Sequence, residues 1–310
     1  MKPKITIVTT LYYSESFIEI FYSRIKHSVE QITDLYEILF VNDGSPDNSK
    51  QKVLQLSQHD DRIVLIDLSR NFGHHQAIIT GLQLSTGDFV FLIDSDLEED
   101  PELLNSFWNE MISNTEADVV YGIQAKRKGG FFERISGSLF YKILNSMTKV
   151  SYPSNTLTAR LMKRNYVEAV LSFKEKALDI WSVFALAGFN QVGMSVTKGS
   201  KGSSTYTLNK KLGMTIEIVT SLSNRPLYII FFIGTIWLCL SSFNILLILA
   251  NKWIYKTETE GWASIMASIW LIGGVIIFLL GLIGIYLSKI FLETKGRPVT
   301  LIRKIYKKNN

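Results

Sequence analysis

The stretch Phe91–Glu102 reads FLIDSDLEEDPE, an apolar run that ends in Asp94, Asp96, Glu98, Glu99 and Asp100, with Pro101 directly after them. A short apolar run that stops at turn formers reads as a buried strand. Similar β-branched and aromatic runs lie at Ile5–Thr10, Glu37–Val41, Ile63–Leu68, Phe89–Ile93 and Asp118–Ile123. The segments Pro46–Gln58, His74–Ser85 and Pro101–Asn114 are long enough to be crossover helices. Strands alternating with helices predict an α/β domain whose mostly parallel sheet is covered on both faces. Ligands of such sheets bind beyond the carboxyl ends of the strands. The candidate crevice is therefore built from Thr10–Glu15, Asn42–Ser45, Ser69–Gly73 and Asp94–Asp100, and the carboxylates sit inside it.

The remainder of the chain divides on hydropathy. Of 310 residues 47% are apolar, an ordinary value for a globular protein, but the apolar residues crowd into the last third. Leu227–Ala250 and Ala263–Ser288 carry no charge, and each exceeds the roughly 20 residues that a helix needs to cross a bilayer core of about 30 Å. We read two spanning helices joined by a short extracytoplasmic loop, 251–262, with Trp253, Tyr255 and Trp262 suited to the interface. The full expected division is a catalytic domain 1–205, a basic juxtamembrane segment 206–226, spans 227–250 and 263–288, and a basic tail 289–310. Lys289, Lys295, Arg297, Arg303, Lys304, Lys307 and Lys308 place that tail in the cytoplasm, and two crossings return the N-terminal domain to the same side.

No signal peptide is expected at the N-terminus. The single cysteine, Cys239, falls within a span, which excludes a disulfide framework or thiolate metal site. The net charge of +5 owes much to the tail and to Lys210, Lys211 and Arg225. A bilayer with anionic lipid suits that distribution, and nucleic acid is not an expected partner. Two helices without internal ionisable residues offer no transport pathway. Gly273, Gly274, Gly281 and Gly284 permit close helix packing, including between protomers of a homo-oligomer.

The crevice holds no glycine-rich phosphate cradle: TTLYYSES after the first strand has no glycine, and G-x-x-x-x-G-K-[ST] is absent. A cation held by carboxylates is the alternative device for meeting diphosphate charge. Asp94 and Asp96 stand two residues apart at a strand end, where side chains alternate in direction, so both can converge on one ion. Their hard oxygens suit Mg²⁺ or Mn²⁺. Glu99, Asp100 and Glu102 have a simpler reading as solvated or capping acids, with Asp100 as N-cap before Pro101.

EILFVNDGSPDNS from Glu37, LSRNFGHHQAIITGL from Leu68, GDFVFLIDSDLEEDPE from Gly87, VVYGIQAKRK from Val119, FYKILN from Phe140 and the apolar hairpin ending GIYLSKIFLETKGRP together resemble family 2 glycosyltransferases of GT-A fold. The resemblance is to the branch that makes polyprenyl-phosphate sugars. It implies transfer of a sugar, with inversion, from a nucleotide donor such as a UDP-sugar to a polyprenyl phosphate on the cytoplasmic leaflet. It implies that Thr10, Tyr12, Glu15 and Asp43 touch the nucleotide. Asp94 and Asp96 hold the metal and the diphosphate, with Glu98 as a third ligand where the family often has glutamine. Arg127, with Arg134 as a lesser candidate, Arg160 and Lys201 serve the acceptor phosphate. Arg70 and Asn71 either shape the crevice wall or touch ligand, and His74 and His75 read as capping or packing residues.

The chain departs from the family at SNTLTARLMKRN, where Thr158 stands near the place of an acidic residue, while Arg160 and Leu161 match. Lys201 stands where arginine is usual. A phosphate acceptor tolerates the missing acid, because its second pKa of about 6 leaves it largely anionic without a general base. The alternatives to this activity are extension of a lipid-linked glycan or an inactive scaffold that binds nucleotide sugar.

Overall fold

The computed structural model describes residues 2–124, 156–174, 180–196, 220, 225–255 and 261–308. The chain divides into two units. One comprises Met1–Lys142, Val150–Thr207 and Arg297–Asn310, and the other comprises Ile143–Lys149 and Leu208–Gly296.

In the first unit β1 (Ile5–Leu11), β2 (Tyr36–Asn42), β3 (Ile63–Leu68) and β4 (Phe89–Leu92) alternate with α1 (Ile18–Glu30), α2 (Ser49–His59) and α3 (His74–Leu84). There follow α4 (Leu103–Ser113), β5 (Val119–Gln124), β6 (Thr156–Lys163), α5 (Arg164–Ser172), α6 (Ile180–Leu186), β7 (Gln191–Val196) and, near the C-terminus, β8 (Ile302–Lys307). These eight described strands form one sheet in the order β7-β5-β6-β4-β1-β2-β3-β8. The β4-β1-β2-β3 block and the β5–β7 pair are parallel, whereas β6 runs antiparallel to β4 and β5, and β8 antiparallel to β3.

The two-residue period of the strands sorts their side chains into two cores. Ile5, Ile7 and Leu11 of β1, with Ile38 and Phe40 of β2, pack with Phe21 and Ile25 of α1 and Leu104, Phe107 and Met111 of α4. Val8, Leu39, Val41, Ile66 and Leu92 face the opposite way, against Ala77, Ile78 and Leu82 of α3 and Phe184 of α6. Each fully buried large apolar side chain stabilises the fold by roughly 1.5–3 kcal/mol. At Gly81 an added Cβ would lie 2.4 Å from Val8 Cγ1, so the absence of a side chain lets α3 rest directly on the sheet. That seating brings the first residue of α3 to the strand exits.

The basic tail is thus more than an appendage, since part of it is β8. Val64 pairs with Lys307 and Ile66 with Ile305, Leu301 O accepts from the Ser69 amide at 2.8 Å, and the Thr80 and Thr300 hydroxyls share a 2.7 Å hydrogen bond.

The second unit contains α7 (Arg225–Tyr255) and α8 (Trp262–Thr294), which extend past both expected spans. Among the described residues one stretch of 27 residues, Ser268–Thr294, is long and apolar enough to cross a membrane, with mean hydropathy 2.5 over an 18-residue window. Arg225–Trp237 qualifies as a shorter apolar helix. Arg127, Arg134 and Lys201 lie outside the described residues.

Candidate active site

The exits of β1, β2, β3 and β4 lie side by side, and the site is assembled from the residues just past each of them. At β2, Asp43 is 3% exposed. Its Oδ1 accepts from the Phe72 amide at 2.7 Å and its Oδ2 from the Gly73 amide at 2.9 Å. Gly44 comes next with φ +60, and a Cβ there would lie 2.5 Å from the Asn71 nitrogen. Only glycine tolerates both the left-handed backbone and that approach. Asp43, expected to touch the nucleotide, thus braces the loop after β3 with one bond to each of its oxygens, and each oxygen keeps a further lone pair. Arg70 belongs to the same wall, its guanidinium 4.1 Å from the Phe72 ring centroid and donating to Asn71 O at 2.8 Å.

The exit of β1 presents Tyr12 and Tyr13, 51% and 62% exposed, with ring centroids 4.8 Å apart and edge to face. Tyr13 has φ 55, an unusual conformation for a bulky residue that turns the chain sharply. Its amide donates to Ser45 Oγ at 2.8 Å. Glu15 accepts from both the backbone and the side-chain nitrogen of Asn48, and its own amide donates to Asp47 Oδ2 at 3.0 Å. Burial pushes the Asp47 carboxyl up, but donors from Ser45, Ser49 and the Glu15 amide outweigh it and hold the group below the usual carboxylate range. Tyr13, Glu15, Ser16, Asp47 and Lys52 line a cavity of about 390 Å³.

At β4, Leu92 pairs with Arg160 of β6, and the two-residue period carries Asp94 and Thr158 to the same face of the sheet. Thr158 Oγ1 donates to Asp94 Oδ2 at 2.7 Å. On the other side His74 Nε2 lies 3.5 Å from Asp94 Oδ1, while His74 Nδ1 is 3.1 Å from Thr10 Oγ1. Asp94 keeps 29% of its side chain exposed. Ser95 is turned inward and donates to Thr10 O at 3.0 Å, which ties the β4 exit to that of β1.

Past Asp96 the backbone reverses through Leu97 at φ 59, and Asp96 Oδ1 accepts from the Glu98 amide at 3.0 Å. This is a local turn in which an aspartate bonds the backbone two residues on. Glu98 is not gathered with the two aspartates as a third ligand: among the described residues no three of His, Cys, Asp and Glu are grouped as a metal centre.

Burial and pairing decide between the roles expected of four further residues. Glu99 is 2% exposed and accepts from the amides of Thr158 and Ala159 at 3.0 and 2.6 Å, so it anchors the start of β6. Asp100 and Glu102 accept from Arg24 of α1 at 2.8 and 2.9 Å, and neither makes a side-chain cap for α4, whose N-cap is Glu102. Arg160 is 2% exposed, with its guanidinium 3.7 Å from the Phe184 ring centroid and 4.9 Å from that of Trp181. It donates over 3.4 Å to the Leu157 and Thr158 carbonyls. Arg160 therefore belongs to the second core rather than to an open phosphate pocket.

Sequence reading undervalued His74, Thr158 and Glu99. The position of His74 at the first residue of the helix that follows the β3 exit loop was a usable signal. The other two depend on a pairing across about sixty residues of chain.

The profile of the glycosyl transferase family 2 matches residues 6–171, from β1 into α5, and the chain belongs to that family. Over 98% of its length it is 45% identical to a protein of Mycobacterium tuberculosis described as "Putative glycosyltransferases", covering 88% of it. It is 33% identical, over 97% of its length and 94% of the relative, to the uncharacterized glycosyltransferase YkcC of Bacillus subtilis. Identity to the bactoprenol glucosyl transferase of Shigella phage SfX is 29% over 97% of this chain and 99% of that one.

Proposed function

We propose that this family 2 glycosyltransferase moves a sugar from a nucleoside diphosphate sugar, with uridine diphosphate as the leaving group, to a polyprenyl phosphate in the adjoining bilayer leaflet, with inversion at the anomeric carbon. The observation that carries the reading is the part-open pair of aspartates beyond β4, in a chain that continues into an apolar helix able to cross a membrane. The relative named a bactoprenol glucosyl transferase supports a lipid-linked acceptor.

Mg²⁺ or Mn²⁺ fits the donor set. These ions take hard oxygen ligands, and Mg²⁺ commonly uses one or two carboxylates with phosphates and water completing its shell. Asp94 and Asp96 would hold the ion, which when bound supplies positive charge against the leaving diphosphate. The chain itself orients the reactants. Tyr12 and Glu15 border the nucleoside side, Thr10 and His74 line the floor next to Asp94, and Arg127 and Lys201 hold the acceptor phosphate. That phosphate arrives already anionic, since its second pKa is about 6, so positioning replaces proton abstraction. Thr158, a neutral hydroxyl bonded to Asp94, is compatible with such a site.

Catalysis is assigned to the cytoplasmic face, with an even number of crossings. The pairing of β8 with β3 supports the even number of crossings, because one sheet holds chain from before α7 and after α8.

The test uses membranes containing the protein, a panel of radiolabelled nucleotide sugars, undecaprenyl phosphate and Mn²⁺ or Mg²⁺. Label should enter the organic phase with one donor and cease to do so in Asp96→Asn. Label that requires a glycosylated lipid would replace this reading with glycan extension, and no label with any donor would favour a scaffold.

A further inference from the structure

We infer that Thr158 is a positioning residue that presets Asp94 for the divalent cation, and that Glu99 holds Thr158 in place to do so. The inference rests on the proposed cation site and assigns a role to two residues outside it.

The geometry runs in two links. Glu99, a carboxylate removed almost wholly from water, accepts two backbone amides at the head of β6, one of them that of Thr158 itself. Charge-assisted bonds to backbone N–H groups offset the cost of burying the acid, and they fix where β6 begins relative to β4. From that fixed backbone the Thr158 side chain, 7% exposed, reaches Asp94 Oδ2 at 2.7 Å. A β-branched side chain is stiff at χ1, so the hydroxyl is presented in a defined direction. Asp94 lies beyond Leu92, the last residue of β4 in register with β6, and the hydroxyl orients its carboxylate from that neighbouring strand.

The chemistry of the donor matters. A carboxylate bound to a cation keeps spare lone pairs, and a neutral donor on one oxygen fixes its rotamer without competing for the ion. A second carboxylate at position 158 would stand within hydrogen-bond distance of Asp94 and would repel it unless one were protonated. Outer partners of this kind alter metal affinity by about 10–100-fold when removed.

The experiment titrates Mn²⁺ alone into the detergent-solubilised full-length protein, following free Mn²⁺ by electron paramagnetic resonance. Wild type, Asp94→Asn, Thr158→Val and Thr158→Ser are compared, with thermal melting as a check on folding. Thr158→Val should weaken Mn²⁺ binding by about 10-fold or more with melting unchanged, and Thr158→Ser should restore it. In transfer assays the same variant should raise the Mn²⁺ concentration for half-maximal rate by a matching factor and leave the rate at saturating Mn²⁺ nearly intact. If Asp94→Asn abolishes binding while Thr158→Val binds as wild type does, the inference falls and the cation site stands. If Asp94→Asn leaves binding unchanged, both fall. Should Thr158→Val fail to accumulate, Thr158→Ala carries the same test.

Discussion

Asp43 and Asp94 come after β2 and β4, the two strands that flank β1, and both lie at the open end of the sheet. Asp43 is closed off from solvent, with its two oxygens on the amides of Phe72 and Gly73. Asp94 stays part open, and its neighbours include the Thr158 hydroxyl and the His74 ring. The same residue type at the same topological station therefore does two different jobs. Backbone amides in a closed pocket make a carboxylate part of the scaffold; side-chain neighbours at an open edge leave it available to a ligand. Topology identifies the crevice, and the bonding partners decide which of its acids can act.

The comparison can be broken most sharply at Asp94. Asp94→Asn and Asp96→Asn should each lower sugar transfer by at least ~100-fold, the scale of losing one electrostatic stabiliser of a transition state, while the melting temperature stays near that of wild type. A large loss of stability in either variant would make these acids scaffold as well.

Next in size is the brace behind the Asp43 loop. Removing 297–310 deletes β8 with its pairing to β3 and the Leu301 contact to Ser69. Several net hydrogen bonds of about 0.5–1.5 kcal/mol each disappear, and a bare sheet edge invites association. Chemical denaturation and light scattering should report lower stability and self-association.

Asp43→Ala should cost about 2 kcal/mol or more in urea unfolding, because two backbone amides in a closed pocket lose their acceptor at about 1–3 kcal/mol each. An Asp43→Ala variant as stable as wild type but without transfer would return Asp43 to the ligand side of the comparison.

The smallest effect concerns a carboxylate far from the crevice. Burial would raise the Asp60 carboxyl, but Arg62, Tyr22 and Lys26 all donate to it and hold it well below the usual carboxylate range. A depressed folded-state pKa stabilises the protein above the unfolded value of about 3.9, and that contribution is lost as pH falls through the lower folded value. Unfolding free energies of wild type and Asp60→Asn in urea should therefore differ by about 1–2 kcal/mol near neutrality; the difference should shrink as pH falls below about 3.9 and close only below the lower folded-state value. Transfer activity at neutral pH should not separate them.

Much of the α/β core was legible because its strands are continuous apolar runs. β1 to β5 stand within a residue or two of the runs that announced them, and α3 begins at the expected His74. β6, β7 and β8 were not anticipated. β8 reads IRKIYK, so its charges break the alternation that marks a half-buried strand, and its place comes from the open edge of β3. Within the site, the D-x-D pair took its weight from the family resemblance as well as from its spacing, whereas of the capping or solvated roles read for Asp100 and Glu102 only the solvated one holds, both acids facing solvent beside Arg24.

The sequence by itself determined the layered domain, the position of the crevice beyond the strand ends and the existence of long apolar segments, because periodicity and hydropathy are local properties of the chain. Only the tertiary structure decided that Asp43 is a clamp, that Arg160 belongs to a core, that Glu99 and Thr158 stand behind Asp94, and that the C-terminal strand closes the sheet. Those roles are set by which donors and rings meet each side chain after distant segments pair, and no spacing along the chain encodes that meeting.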